Sequence, residues 1–163
     1  MEDEVDRLVT AWKRERPDLD VTPMQVLSRI TRLALHLDRA RREAFADHGL
    51  ETSDFDVLSA LRRSGEPYQL SPGQLVQQTL VTSGTMTHRV DRLVGKGLVD
   101  RLPDPSDRRG VLVRLTATGR SSVDGAFTAL LAREQDLLAD LDPSATAQVV
   151  DALRTLSLPF DGS

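Results

Sequence analysis

The 163-residue chain contains no cysteine. That excludes a disulfide scaffold, a thiolate metal site and a cysteine nucleophile. Aromatic residues make up only 4% of the chain, so the core has to be built mostly from Leu, Val and Ala. Lysine is nearly missing: of 21 basic residues only Lys13 and Lys96 are lysines. The rest are arginine, the cation that forks onto phosphates and base edges. No apolar run approaches the roughly 20 residues of a membrane span. The opening Met1-Glu2-Asp3-Glu4 is acidic where a signal peptide is basic. A cytoplasmic protein without membrane contact is expected. Glycine-rich phosphate loops are missing too, and His36, His48 and His88 have no metal-ligand spacing. Neither an enzyme nor a cofactor or metal site is expected.

What the chain has is an uneven charge. The formal net charge is −4, which by itself argues mildly against nucleic acid. The excess acid, however, lies mainly in residues 117–163, where Arg120, Arg133 and Arg154 face seven acids. Over residues 82–114 the sign reverses. Arg89, Arg92, Lys96, Arg101, Arg108, Arg109 and Arg114 stand against Asp91, Asp100, Asp104 and Asp107, a balance of +3. Sign asymmetry of this kind matters more than the total.

Periodicity and stop signals divide the chain. Val5, Leu8 and Trp12 share a face of a short helix that Pro17 ends. Residues 17–20 are a connector. Thr22-Pro23 reads as N-cap and first-turn proline of a long helix reaching about Asp47, with a stripe of Val26, Ile30, Leu33 and Leu37. A helix of that length packs against several elements or a second subunit. Thr52 or Ser53 caps a helix over 54–63. Tyr68-Gln69-Leu70 is extended. Ser71-Pro72 opens a short helix to about Gln78, and Thr82 or Ser83 caps another that reaches Lys96. Leu98–Leu102 and Val111–Leu115 read as two short strands around a turn-rich tip at 103–110. Thr116 caps a helix to about Asp140. A last helix after Asp142-Pro143 aligns Val149, Val150, Leu153 and Leu156.

Two helices joined by a tight turn and followed by a hairpin spell a winged helix–turn–helix. In that motif the second helix enters the major groove. With Met86, Val90 and Leu93 turned inward, a helical wheel leaves Thr85, His88, Arg92 and Lys96 outward, Thr87 near the boundary and Ser83 at the start. These are donors and cations, suited to base edges and phosphates. The hairpin tip adds Arg108 and Arg109 beside Asp107. An arginine there suits a narrow, strongly negative minor groove, with Asp107 holding Arg109 in place. An ordinary solvated helix face and a charged turn would show similar residue types, but not in this succession.

The run Asp104-Pro105-Ser106-Asp107-Arg108-Arg109-Gly110, continuing to Leu115-Thr116 and Gly119, resembles the wing signature of the MarR family of transcriptional regulators. Residues 82–94 resemble that family's recognition helix and Lys96-Gly97-Leu98-Val99 its helix exit. The resemblance spans about residues 23–157. It implies a mainly α fold with a small β-hairpin and a homodimer on a pseudo-palindromic duplex, most often as a repressor. Residues 50–116 would form the winged DNA-binding lobe, 21–49 and 117–163 the helical dimerisation region, and 1–20 an added N-terminal helix and connector.

That added helix is similar to one in the urate-responsive branch of the family. The branch places a Trp there, an Asp on the second family helix, and Arg residues on and just after the recognition helix. Trp12, Asp56, Arg89 and Arg101 stand at matching positions. The likeness implies a small anionic or aromatic effector that lowers operator affinity by favouring a DNA-incompetent state. Two other readings compete: a DNA-binding regulator without an effector, and a helical dimeric interaction protein. The second of these would be expected to lack the outward cations and the wing arginines.

Overall fold

The computed structural model describes residues 2–79 and 81–160, and for Arg108 the backbone alone. The order is α1 (Glu4–Glu15), α2 (Thr22–Ala46), α3 (Thr52–Arg63), β1 (Gln69–Leu70), α4 (Pro72–Thr79), α5 (Ser83–Gly95), β2 (Val99–Asp104), β3 (Asp107–Leu115), α6 (Ala117–Leu138) and α7 (Pro143–Ser157), closed by a 3-10 turn at Leu158–Phe160. The architecture is mostly helical with one small antiparallel sheet of order β1-β3-β2.

Reciprocal capping starts α1. Asp3 accepts the Asp6 amide at 2.9 Å and Asp6 accepts the Asp3 amide at 3.0 Å, so two orphan donors are satisfied at once. Val5 and Val9 turn inward onto Val21 and Met24, while Leu8 and Trp12 stay exposed. The inward face is therefore rotated from the expected Val5–Leu8–Trp12 stripe. Arg29 of α2 reaches Asp3 and Asp6 at 2.7 Å each, and Arg32 meets Glu4 at 2.5 Å.

Two expected caps are corrected. Val21, not Thr22, occupies the N-cap of α2 and makes no side-chain bond. The Thr22 amide is taken by Asp20 at 2.9 Å instead. Helix α3 begins two residues early, behind Glu51, whose amide donates to Asp54 at 3.1 Å. The other caps fall among the expected residues: Ser71 accepts the Gln74 amide, Thr82 the Thr85 amide, Thr116 the Gly119 amide and Asp142 the Ala145 amide.

The wing strands are longer than the pattern suggested. They pair from Val99↔Leu115 to Asp104↔Asp107, with an irregularity at Pro103/Asp104. Strand β2 is an edge, where a proline's missing N–H breaks no second ladder. Asp104 closes the turn by accepting the Ser106 amide at 2.8 Å and its hydroxyl at 2.6 Å. Arg109 thus sits on β3 rather than on a loose tip.

One core gathers α2, α3, α4, α5, the sheet and α6. Phe45, Leu58, Leu61, Leu75, Met86, Leu93 and Val113 are all fully buried, and Phe45 stacks on Phe55 at 4.1 Å. Met86, Val90 and Leu93 face inward, as the wheel required. Much apolar surface remains outside. Helix α7 has no buried residue, and Val26 and Leu33 of the α2 stripe are half exposed.

Candidate nucleic-acid interface and effector cleft

Helices α4 and α5 pack on each other, and Leu75 of α4 is fully buried. Ser83, Thr85, Thr87 and His88 are exposed on the N-terminal half of α5. Thr85 shares a hydrogen bond with Thr82 at 2.9 Å, and Thr87 donates to the Ser83 carbonyl at 3.1 Å. Both hydroxyls keep acceptor capacity toward solvent.

Arg92 and Lys96 do not point freely outward, and that expectation is corrected. Both bend back onto Asp54 of α3. Arg92 donates to its Oδ1 at 3.0 and 2.7 Å, and Lys96 to its Oδ2 at 2.7 Å. Arg92 also reaches Ser53 at 2.7 Å and Glu51 at 3.0 Å. Burial pushes the Asp54 carboxyl up, but Lys96, the Glu51 amide and Arg92 outweigh it and hold the group below its ordinary value. A wheel gives the direction of a Cβ, not the path of a long side chain toward a partner 38 positions away in sequence.

On the wing, Arg109 is exposed. Asp107 accepts its backbone amide at 2.9 Å, so Asp107 shapes the turn and does not grip the guanidinium. Arg108 belongs to β3 by its backbone; its side chain lies outside the described residues. Gly110 is required here, since a Cβ would stand 2.8 Å from that of Asp104.

Of Trp12, Asp56, Arg89 and Arg101, the structure brings together only two. Arg89 Nη1 is 3.8 Å from Asp56, and its side chain is only 20% exposed. That nitrogen is buried without a hydrogen-bond partner. Arg101 is instead paired with Asp91 at 2.5 Å on the surface. Trp12 is exposed on α1 beside Leu8, Ala11 and Glu15, and α1 packs on α2. The four therefore do not form one site within a single chain.

Asp56 opens onto a polar cleft of about 260 Å³ lined also by Arg41, Ser59, Arg63, Gln78 and Thr79. An apolar hollow of about 140 Å³ between α3 and α6 adjoins it, walled by Phe55, Val123 and Phe127. Phe55, Ser59 and Arg63 line both. Arg41 and Arg63 escaped sequence reasoning because they lie on separate helices with no spacing to link them. Asp54 had a signal, its place three residues after Glu51, where a helix-start carboxylate belongs.

Comparison with known proteins agrees with this geometry. The MarR family model matches residues 48–110. The HTH-type transcriptional regulator PecS of Dickeya dadantii is 39% identical over 135 residues, 83% of this chain and 81% of its own length. The multiple antibiotic resistance protein MarR of Escherichia coli is 36% identical over 119 residues, 73% and 78% of the two chains. The crystal structure of a mutant of that protein complexed with operator DNA superposes with a TM-score of 0.68, at 28% identity over 85% of this chain and 99% of that one. Bordetella bronchiseptica BpsR, described as regulated in its DNA binding by 6-hydroxynicotinic acid, gives a TM-score of 0.69 at 28% identity, covering 89% and 99%. These relatives are regulators, not enzymes. The fold, the exposed α5 face and the sequence relatives agree: the chain belongs to the MarR family of DNA-binding transcriptional regulators.

Proposed function

We propose that the protein is a homodimeric repressor of a pseudo-palindromic operator, released from DNA by a small planar anion. Residues 50–116 form the DNA-reading lobe, and 21–49 with 117–163 the dimer-forming helices. Residues 1–20 are the added helix and connector, as in the urate-responsive branch. Ser83, Thr85, Thr87 and His88 lie in the major groove and Arg109 in the minor groove. Two-fold symmetry spaces the half-sites about one helical turn, ~10 base pairs, apart.

The observation that carries the ligand is Arg89. It is a recognition-helix cation, four-fifths buried, whose Nη1 has no hydrogen-bond partner and stands 3.8 Å from the cleft residue Asp56. A guanidinium left unsatisfied at that depth is costly, and a carboxylate or enolate relieves it. The arginines of the cleft and the apolar wall beside it suit a flat ring bearing one negative charge. Taking Arg89 from Asp56 shifts α5 relative to α3, and a ligand that binds the shifted state better lowers operator affinity.

The test uses fluorescence anisotropy with the DNA upstream of the protein's own gene, titrated with aromatic carboxylates and oxidised purines. Arg89→Ala is expected to bind that DNA nearly as wild type yet to need at least about 10-fold more ligand for release, a loss of about 1.4 kcal/mol. If no anion releases wild-type protein, it is a regulator without an effector. If no duplex binds even at low salt, the helical interaction protein is left.

Arg109→Ala is expected to weaken operator binding by about 10–100-fold, the scale of one base contact. Unchanged affinity would take the wing out of recognition.

A further inference from the structure

Asp54 is the one charged side chain fully buried among the described residues. A carboxylate in that position is tolerated only when its oxygens are all engaged by strong donors; besides the Glu51 amide at 3.1 Å, the donors come from the recognition helix. Arg92 takes Oδ1 through Nε and Nη2, and Lys96 takes Oδ2 while also reaching the Gly49 carbonyl at 3.1 Å. Ser53 also accepts from Nη2, and Glu51 pairs with the remaining nitrogen, Nη1. Arg92 and Lys96 are one helical turn apart. Together they tie the C-terminal half of α5 to the first turn of α3.

The apolar contacts of Met86, Val90 and Leu93 set how deeply α5 sits, but they are non-directional. They set its rotation about its own axis only to within the width of the apolar face. Charge-assisted hydrogen bonds narrow it further. Rotation decides which of Thr85, Thr87 and His88 meets a base edge, since neighbours on a helix are separated by about 100°.

We propose that Asp54 is the positioning residue of the recognition helix, and that Arg92 and Lys96 serve DNA binding by anchoring that helix to α3, not by touching phosphate. The proposal rests on the reading of α5 as the helix that enters the major groove.

The test uses the full-length protein, a duplex selected from a random library by wild type, and a scrambled duplex of equal length. Asp54→Asn and Lys96→Gln are expected to lower affinity for the selected duplex by about 10-fold or more. The slope of log affinity against log salt should stay at the wild-type value, because no phosphate contact is lost. Affinity for the scrambled duplex should not change. A phosphate role predicts the reverse and overturns the proposal. Lys96→Gln would then flatten the slope by about one, and Asp54→Asn, by freeing two cations, would tighten binding to both duplexes.

Amide hydrogen exchange supplies a readout that needs no DNA. Asp54→Asn should speed exchange in α5 while α6 keeps its protection. Unchanged exchange in α5 overturns the proposal. Should wild type bind no duplex, the DNA reading fails by itself and exchange still decides whether the anchor exists. If Asp54→Asn does not fold, Ser53→Ala removes a single bond to Arg92, and a loss of a few-fold on the selected duplex at unchanged slope is expected. Wild-type affinity in both Ser53→Ala and Lys96→Gln counts against the anchor.

Discussion

Gly119→Ala is expected to lower the melting temperature by about 6–12 °C, the shift that about 3 kcal/mol produces in a domain of this size. A Cβ at this position would lie 2.0 Å from the Leu98 carbonyl oxygen and 2.9 Å from its carbon. These are backbone atoms, so no side chain can swing aside. The carbonyl is held in place as well. It accepts the Thr116 amide at 3.1 Å and the Thr116 hydroxyl at 3.1 Å. That same hydroxyl accepts the Gly119 amide at 2.9 Å and caps α6. One added methyl therefore disturbs the end of the recognition helix, the entry to the wing and the start of α6 together, which puts it at the upper end of overpacking costs. Gly95→Ala is the control, because its Cβ would meet nothing within 4 Å; it should melt at or above wild type. A Gly119→Ala protein as stable as Gly95→Ala would show that this crossing yields.

The second large effect concerns the outer helices. In α7, Val149, Val150, Leu153 and Leu156 are each more than 40% exposed, and Phe160 beyond them is 77% exposed. Leu131, Leu137 and Leu138 of α6 and Val26, Leu27 and Leu33 of α2 add to this apolar surface. A monomer rarely leaves so much of it to water. Replacing Val150 and Leu153 together by Asp is expected to give a monomer by light scattering and to lower operator affinity by at least about 100-fold. The two lobes then no longer bind as one linked unit with a high effective concentration for the second half-site. Two outcomes would count against this: a dimer that survives both substitutions, or a monomer that holds the operator as tightly as wild type.

The sequence made some of this legible and hid the rest for definite reasons. Helix α5 and its inward residues were readable because Met86, Val90 and Leu93 repeat with helical period between a threonine cap and Gly97, which takes a φ of +70°. The wing was readable as a hairpin, but its length was not. Pro103, Asp104 and Asp107 are turn-forming residues, and the edge position that lets β2 run on through Pro103 and Asp104 is a property of the sheet. The α5 face was read half correctly. Short side chains such as Thr85 and Thr87 stay where the wheel puts them, whereas Arg92 and Lys96 reach across to a carboxylate on another helix. The set of Trp12, Asp56, Arg89 and Arg101 failed as a single-chain site for a related reason. Asp56 and Arg89 face each other because α3 and α5 pack, but Arg101 has Asp91 within reach and Trp12 rides on a helix that packs on α2.

That helix, α1, is held to the rest mainly by exposed ion pairs. Its apolar seat is small: among the described residues Val5, Val9 and Val21 are the buried ones, around Met24. The rest of its hold is ionic, through Arg29 with Asp3 and Asp6 and Arg32 with Glu4. Salt screens such pairs while kosmotropic salts strengthen apolar burial, so sulfate tightens the lobe as it loosens the grip of α1. Acid acts on the same grip. Arg29 and the Asp6 amide hold the Asp3 carboxyl below its ordinary value. Its contribution is present above about pH 3.9 and is lost as the pH falls through the lowered value. The chain thus joins a lobe with a large apolar core to a helix held by an exposed ionic clasp.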